Sequence, residues 1–343
     1  MAQLNEGVRQ GISGRAGPDT APAYLRTGAA VALYATAAAG FIGYEIDQRG
    51  ADGTDFLKSL YDPRVPLTPW AQTPQDWALI AAALVFGGIA LARRRVARGA
   101  LMLLAVILIG LSLRELVGLA VSEPYRQMMD SLGNGQLLII FRVVGLFIGI
   151  AILAEMARAG RRSTPPYAAY GGAYGGMYGG YGPPPPAYRP GPRPQFSAAG
   201  ICVLLGGLVA GAWLVYRLTR PEVFVMGLPG GDAGVGGFFR DVVDASYGTS
   251  VPYSFHSVSI VVAPLLVGVL LLRGSPAARG AALALSFISL YLDARGLYSY
   301  VAEGDLGQYF DSTLGTLVLL STVATTVLAL TAVVLLLRVP EQD

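Results

Sequence analysis

The sequence predicts an all-α integral membrane protein, with eight transmembrane helices arranged as two parallel four-helix repeats joined by a disordered linker. Three observations carry this. Only 14% of the 343 residues are charged, well under the quarter usual in soluble domains, and mean hydropathy is +0.52. Eight apolar stretches, near 27–44, 77–93, 99–121, 136–157, 197–217, 257–273, 279–301 and 314–337, have the length needed to cross a hydrocarbon core of roughly 30 Å. The second half of the chain also repeats the first. The stretches are continuous rather than alternating, which speaks against a membrane β-barrel.

The first stretch contains Ala35-Thr36-Ala37, a small-residue pattern resembling a signal-peptide cleavage site. A long polar segment precedes it and a related segment recurs later, so it reads as a retained helix. The third and seventh stretches align at an offset of 181: ARGALMLLAVILIGLSLRELVG (97–118) over ARGAALALSFISLYLDARGLYS (278–299), with nine of 22 positions identical. Arg98/Arg279, Gly99/Gly280, Arg114/Arg295 and Leu116/Leu297 are among them. FLKSLYDP (56–63) lies over FFRDVVDA (238–245), Asp130-Ser131 over Asp311-Ser312, and residues 40–44 over 212–216. Matches outside the helices are not explained by apolar composition. The expected units are therefore 25–158 and 197–338, with tails at 1–24 and 339–343. An even number of helices per unit gives both copies the same orientation, related by an axis along the membrane normal.

Residues 159–196 join the units. Their centre, AAYGGAYGGMYGGYGPPPPAYRPGPRP (168–194), has too few aliphatic side chains to offset the entropy of ordering. It reads as a tether, with three further readings: Tyr167, Tyr170, Tyr174, Tyr178, Tyr181 and Tyr188 as an adhesive aromatic tract, Pro183–Pro186 as a polyproline docking site, and the tyrosines as kinase substrates. All but one of the 25 basic residues are Arg, and they are unevenly placed. The face holding both termini, the linker and the 94–98 and 274–278 turns carries 15 Arg and 5 acids. The opposite face carries 7 basic and 15 acidic residues. Basic residues beside helix ends stay in the cytoplasm, so both termini and the linker are expected inside a cell inner (plasma) membrane. Arg93, Arg94, Arg95 and Arg98 sit in a tight turn where anionic lipid headgroups are the expected partners, and nucleic acid is not. On the outer side, residues 52–62 and 237–244 read as short amphipathic helices, either lying on the membrane surface or covering an outward cavity.

Five ionisable residues, Arg114, Glu115, Arg142, Asp293 and Arg295, fall within the apolar stretches, where charge is costly and faces the bundle interior. With the third helix entering near Ala100, Arg114 stands roughly 20 Å along it, and Arg142 and Arg295 come to similar depth. Neighbours one or two positions apart do not share a helical face, so the expected partners lie on other helices: Arg114 with Asp293, and Arg295 with Glu115. Three accounts fit these residues: headgroup snorkelling, an ion-pair network locking the copies together, and a polar cavity for an anionic ligand.

Catalytic chemistry finds little here. One His (His256) and one Cys (Cys202) are too few for a zinc, haem or iron–sulfur centre or an intrachain disulfide. No nucleophile elbow, zinc-protease pair or phosphate loop appears. No catalytic, metal or cofactor residue is therefore assigned. In composition and in its linker the chain resembles uncharacterised actinobacterial multi-pass membrane proteins with Tyr/Gly/Pro-rich cytoplasmic segments, a likeness that transfers no site residue. The functional expectation is a non-enzymatic scaffold or envelope-associated interaction protein whose linker recruits cytoplasmic partners. The alternative is a small-solute transporter with an Arg-lined site between the repeats.

Overall fold

A computed structural model describes residues 15–48, 52–62, 74–131, 135–162, 194–220, 253–302 and 306–338. Eleven helices form there: α1 (Ala21–Gln48), α2 (Gly53–Tyr61), α3 (Pro74–Leu91), α4 (Ala97–Val121), α5 (Glu123–Ser131), α6 (Gly135–Arg162), α7 (Pro194–Thr219), α8 (Tyr253–Leu272), α9 (Pro276–Ala302), α10 (Leu306–Phe310) and α11 (Thr313–Arg338). No strand occurs among the described residues; the only pairing outside helices is a bridge between Arg15 and Arg94.

Seven helices, α1, α3, α4, α6, α7, α9 and α11, are long and apolar enough to cross a membrane. The chain is thus a multi-pass helical membrane protein. The eighth expected span is met only in part: α8 qualifies as an apolar helix over Val258–Leu272, 15 residues that rise about 22 Å. Large apolar side chains face outward on every side, among them Leu33, Phe147, Leu208, Leu266 and Leu337. In water such a surface would drive aggregation; in hydrocarbon it is the expected exterior.

The interior is built mainly from alanine and glycine, so that backbones approach closely. One cluster joins Tyr24 and Val31 of α1, Leu101 and Ala105 of α4, and Ile152 and Met156 of α6. A second joins Val203 of α7, Leu271 of α8, Leu285 of α9 and Leu336 of α11. Between them, Phe86 of α3 and Ala100 and Leu104 of α4 meet Ala284 of α9. With no hydrophobic drive between helices in lipid, such small-residue contacts supply the packing energy.

Three glycine contacts define the geometry. A Cβ on Gly28 would lie 2.9 Å from the Gly87 carbonyl, fixing α1 on α3, and one on Gly200 would lie 3.1 Å from the Gly268 carbonyl, fixing α7 on α8. The tightest contact lies at the crossing of α4 and α9. A Cβ on Gly99 would overlap the Ala277 carbonyl oxygen, and one on Gly280 would overlap that of Val96.

Both α3 and α8 end in the same kind of turn. Arg93 N donates to Ala90 O and Arg94 N to Ile89 O; Gly274 N donates to Leu271 O and Ser275 N to Leu270 O. This double bond is the Schellman closure, which needs one left-handed residue. Gly274 supplies it at φ 70, whereas the first turn uses Arg93 at φ 58, a conformation that costs a side-chain residue roughly 1 kcal/mol.

The linker expectation of 159–196 is trimmed at both ends. α6 continues to Arg162 and α7 starts at Pro194, because Arg158 to Arg162 extend the apolar helix and Pro194 suits a first helical turn. The remainder, 163–193, lies outside the described residues, as do the glycine-rich stretch 227–237, the outer helix expected at 237–244 and the chain ends. α1 likewise begins at Ala21, ahead of the expected boundary at 25.

Candidate functional site

The five intramembrane charges do not form one cluster. Arg114 Nη1 donates to Glu115 Oε1 at 3.0 Å, with both side chains 4% exposed. The Arg114 guanidinium carbon also lies 5.6 Å from the centroid of the Tyr125 ring of α5, within cation–π range. The expectation that Arg114 pairs with Asp293, and Arg295 with Glu115, is therefore corrected. Adjacent residues diverge by about 100° around a helix, but the long Arg side chain bends around to its neighbour when burial leaves it no water.

Arg295 serves the short helix α2 instead. Its Nε and Nη2 donate to the Ser59 carbonyl at 3.3 and 3.2 Å, and Tyr291 Oη donates to Leu60 O at 2.7 Å. These are last-turn carbonyls of α2 that have no acceptor role within the helix, and a cation there also suits the helix dipole. Tyr61 packs edge-on against Tyr298 at 5.8 Å, and Phe56 packs against Trp77 of α3 at 5.2 Å. α2 is therefore pinned across α3 and α9. At its other end Asp52 accepts from Thr54 N at 2.8 Å, which holds the Asp52 carboxyl below its usual range. Glu123, opening α5, is held low chiefly by its hydrogen bond from Arg126. Both contributions are present above the ordinary carboxylate range of about 4 and are lost as pH falls through the lowered values.

Asp293 faces Thr325 of α11, and its Oδ2 is buried without a hydrogen bond. The turn arginines also have protein partners. Arg98 Nε donates to Met156 O at 3.0 Å, Arg95 Nε to Arg15 O at 2.9 Å and, in the second half, Arg279 Nη2 to Leu336 O at 2.9 Å. Arg98 and Arg279 each reach a carbonyl of another helix and Arg95 reaches the segment before α1, so these side chains tie together the end of the bundle at the Arg93–Arg98 turn. A salt bridge from Arg26 to Glu155 at 3.1 Å adds little on so exposed a surface.

Arg142 differs from the others. It lines a cleft of about 100 Å³ between α1, α3, α4 and α6, whose walls are mostly aliphatic, including Val31, Ala35, Leu104 and Leu108. Arg142 Nε and Tyr34 Oη are both buried with no hydrogen-bond partner, and no carboxylate pairs with Arg142 among the described residues. An uncompensated Arg inside a span costs roughly 3 kcal/mol. Tyr34 stacks on Phe141 at 4.5 Å, and its hydroxyl lies 2.5 Å from where a Gly145 Cβ would stand. Asp76, in the first turn of α3, lines the same cleft, where the dipole favours a carboxylate.

Tyr34 and this cleft went unnoticed in the sequence, where Tyr34 reads as one more aromatic in an apolar run. A signal was present. Gly145 and Gly149 form a small-xxx-small pair in α6; Gly149 lies against Ile109 and the Ala105 carbonyl of α4, leaving Gly145 to admit the Tyr34 hydroxyl. The seam between α1 and α6 is also much shorter than that between α7 and α11, where Trp213 Nε1 donates to Ser321 Oγ at 2.9 Å.

No protein-family model, curated protein or solved structure matches the chain.

Proposed function

We propose that the chain is a non-enzymatic membrane scaffold: two parallel four-helix copies, eight spans in all, fixed to each other at the α4–α9 crossing and tethered by a cytoplasmic linker that recruits partners. The observation that carries this reading is the reciprocity of the crossing. Gly99 meets Ala277 and Gly280 meets Val96, and at the offset of 181 these are the same contact made twice. Residue i meeting j while j's equivalent meets i's equivalent is the mark of a twofold interface.

Other pairs support the duplication. Gly87 and Gly268 follow the same offset, and Gly28 and Gly200 follow the offset of 172 that relates residues 40–44 to 212–216. The left-handed turn residues Arg93 and Gly274 are equivalent as well. On this reading α8 spans the membrane as the counterpart of α3. A transporter with its site between the copies would need polar groups gathered where the halves meet. At the α4–α9 crossing backbone lies on backbone, the polar groups that do cross between the halves, Arg295 and Tyr291, are taken up by the carbonyls of Ser59 and Leu60, and Arg142 is within the first half, which favours the scaffold.

The membrane is a cell inner membrane, with the Arg-rich face, both termini and the linker in the cytoplasm and Arg93 and Arg94 beside anionic headgroups. Single cysteines at Gly175 and at Asp55, each in a Cys202→Ser background, test the orientation. In intact cells an impermeant maleimide is expected to label position 55 and spare 175. The opposite pattern would put the linker outside, and the recruiting role with it.

A further inference from the structure

The cleft in the first half combines an aliphatic wall with two buried hydrogen-bond donors, Arg142 Nε and Tyr34 Oη, that no group among the described residues satisfies. Arg142 precedes Gly145 by about one turn of α6, and the Tyr34 hydroxyl lies over Gly145, so both donors serve one end of the cleft. Helical side chains lean toward the N-terminus of their helix. The Arg142 guanidinium therefore reaches from a Cα about 10 Å along α6 back toward Gly135 and the membrane surface.

We infer that this cleft binds one anionic lipid. Its acyl chain lies along Val31, Ala35, Leu104 and Leu108, and its headgroup anion accepts hydrogen bonds from Arg142 and Tyr34. A free inorganic anion would satisfy the donors but leave the aliphatic wall empty. A neutral lipid would fill the wall and leave the Arg142 charge unpaired. The short seam between α1 and α6 gives a bilayer lipid a lateral way in. The second half has lost both donors: Gly206 stands at the position aligned with Tyr34, and Val323 at the one aligned with Arg142.

Native mass spectrometry of the full-length, delipidated protein tests this, with dioleoylphosphatidylglycerol and dioleoylphosphatidylcholine as probes. The wild type is expected to retain one phosphatidylglycerol with about tenfold preference, the scale of a charge-assisted hydrogen bond. Arg142→Gln should remove the preference, and Arg142→Lys should restore part of it, which separates lost charge from lost fold. Leu108→Trp, which crowds the wall without altering charge, should lower occupancy by either lipid, while Val323→Gln in the second half should change neither. Equal retention of the two lipids by the wild type, or an undiminished preference in Arg142→Gln, would overturn the assignment. Displacement of the retained lipid by millimolar inorganic phosphate would overturn it too, by showing a site for the anion alone.

Discussion

Gly99→Leu is expected to force α4 away from α9 and to destabilise the whole bundle. The new side chain would begin inside the Ala277 carbonyl and 3.0 Å from the Ala281 amide nitrogen of the facing helix, and backbone cannot turn aside as a side-chain tip can. Overpacking typically costs about 1–3 kcal/mol, and a clash with backbone belongs at the upper end of that range. Thermal unfolding of the detergent-purified protein should show a marked loss for Gly99→Leu and a matching loss for Gly280→Leu. Gly88→Leu is the control, since nothing lies within 4 Å of its Cβ position. A Gly99→Leu protein as stable as this control would mean the crossing does not hold the halves together.

The second large effect concerns the buried pair. Glu115→Ala takes away the carboxylate that Arg114 donates to, among groups that are nearly dry, with Arg114 6% and Glu115 3% exposed as whole residues. Breaking a buried pair by removing one partner costs roughly 3–5 kcal/mol. Arg114→Leu combined with Glu115→Ala should be less damaging than the sum of the two single changes, because neither charge is then left without the other. Unfolding midpoints of the four proteins complete the cycle. Strict additivity would mean that the two charges do not stabilise each other.

Much of this fold was legible because lipid imposes few rules and strict ones. A continuous apolar run with arginines at one end can only be a helix, and its length is fixed by the bilayer. The pairing of Gly99 with Gly280 was visible as an identity in the aligned helices, though not as a contact. What the sequence hid was side-chain reach. Spacing rules treat Arg114 and Glu115 as facing apart, yet a flexible guanidinium in a dry site bends to its neighbour. Arg295 likewise finds backbone carbonyls of α2, and unsatisfied carbonyls leave no trace in sequence. The cleft was illegible for a related reason. It depends on how far α1 and α6 splay, which Tyr34, Phe141 and Gly145 set together from segments more than 100 residues apart. The second half shows what closes such a gap: Trp213 reaches Ser321 where the first half has Phe41.

The proposed two-copy architecture makes one requirement above all others, that the halves recognise each other without the linker. Residues 1–165 and 195–343, co-expressed as separate chains with an affinity tag on the first, should co-purify in mild detergent at equal stoichiometry. Gly99→Leu in the first chain should release the second. Halves that fail to co-purify, or that stay together despite Gly99→Leu, would contradict an architecture built on the α4–α9 crossing.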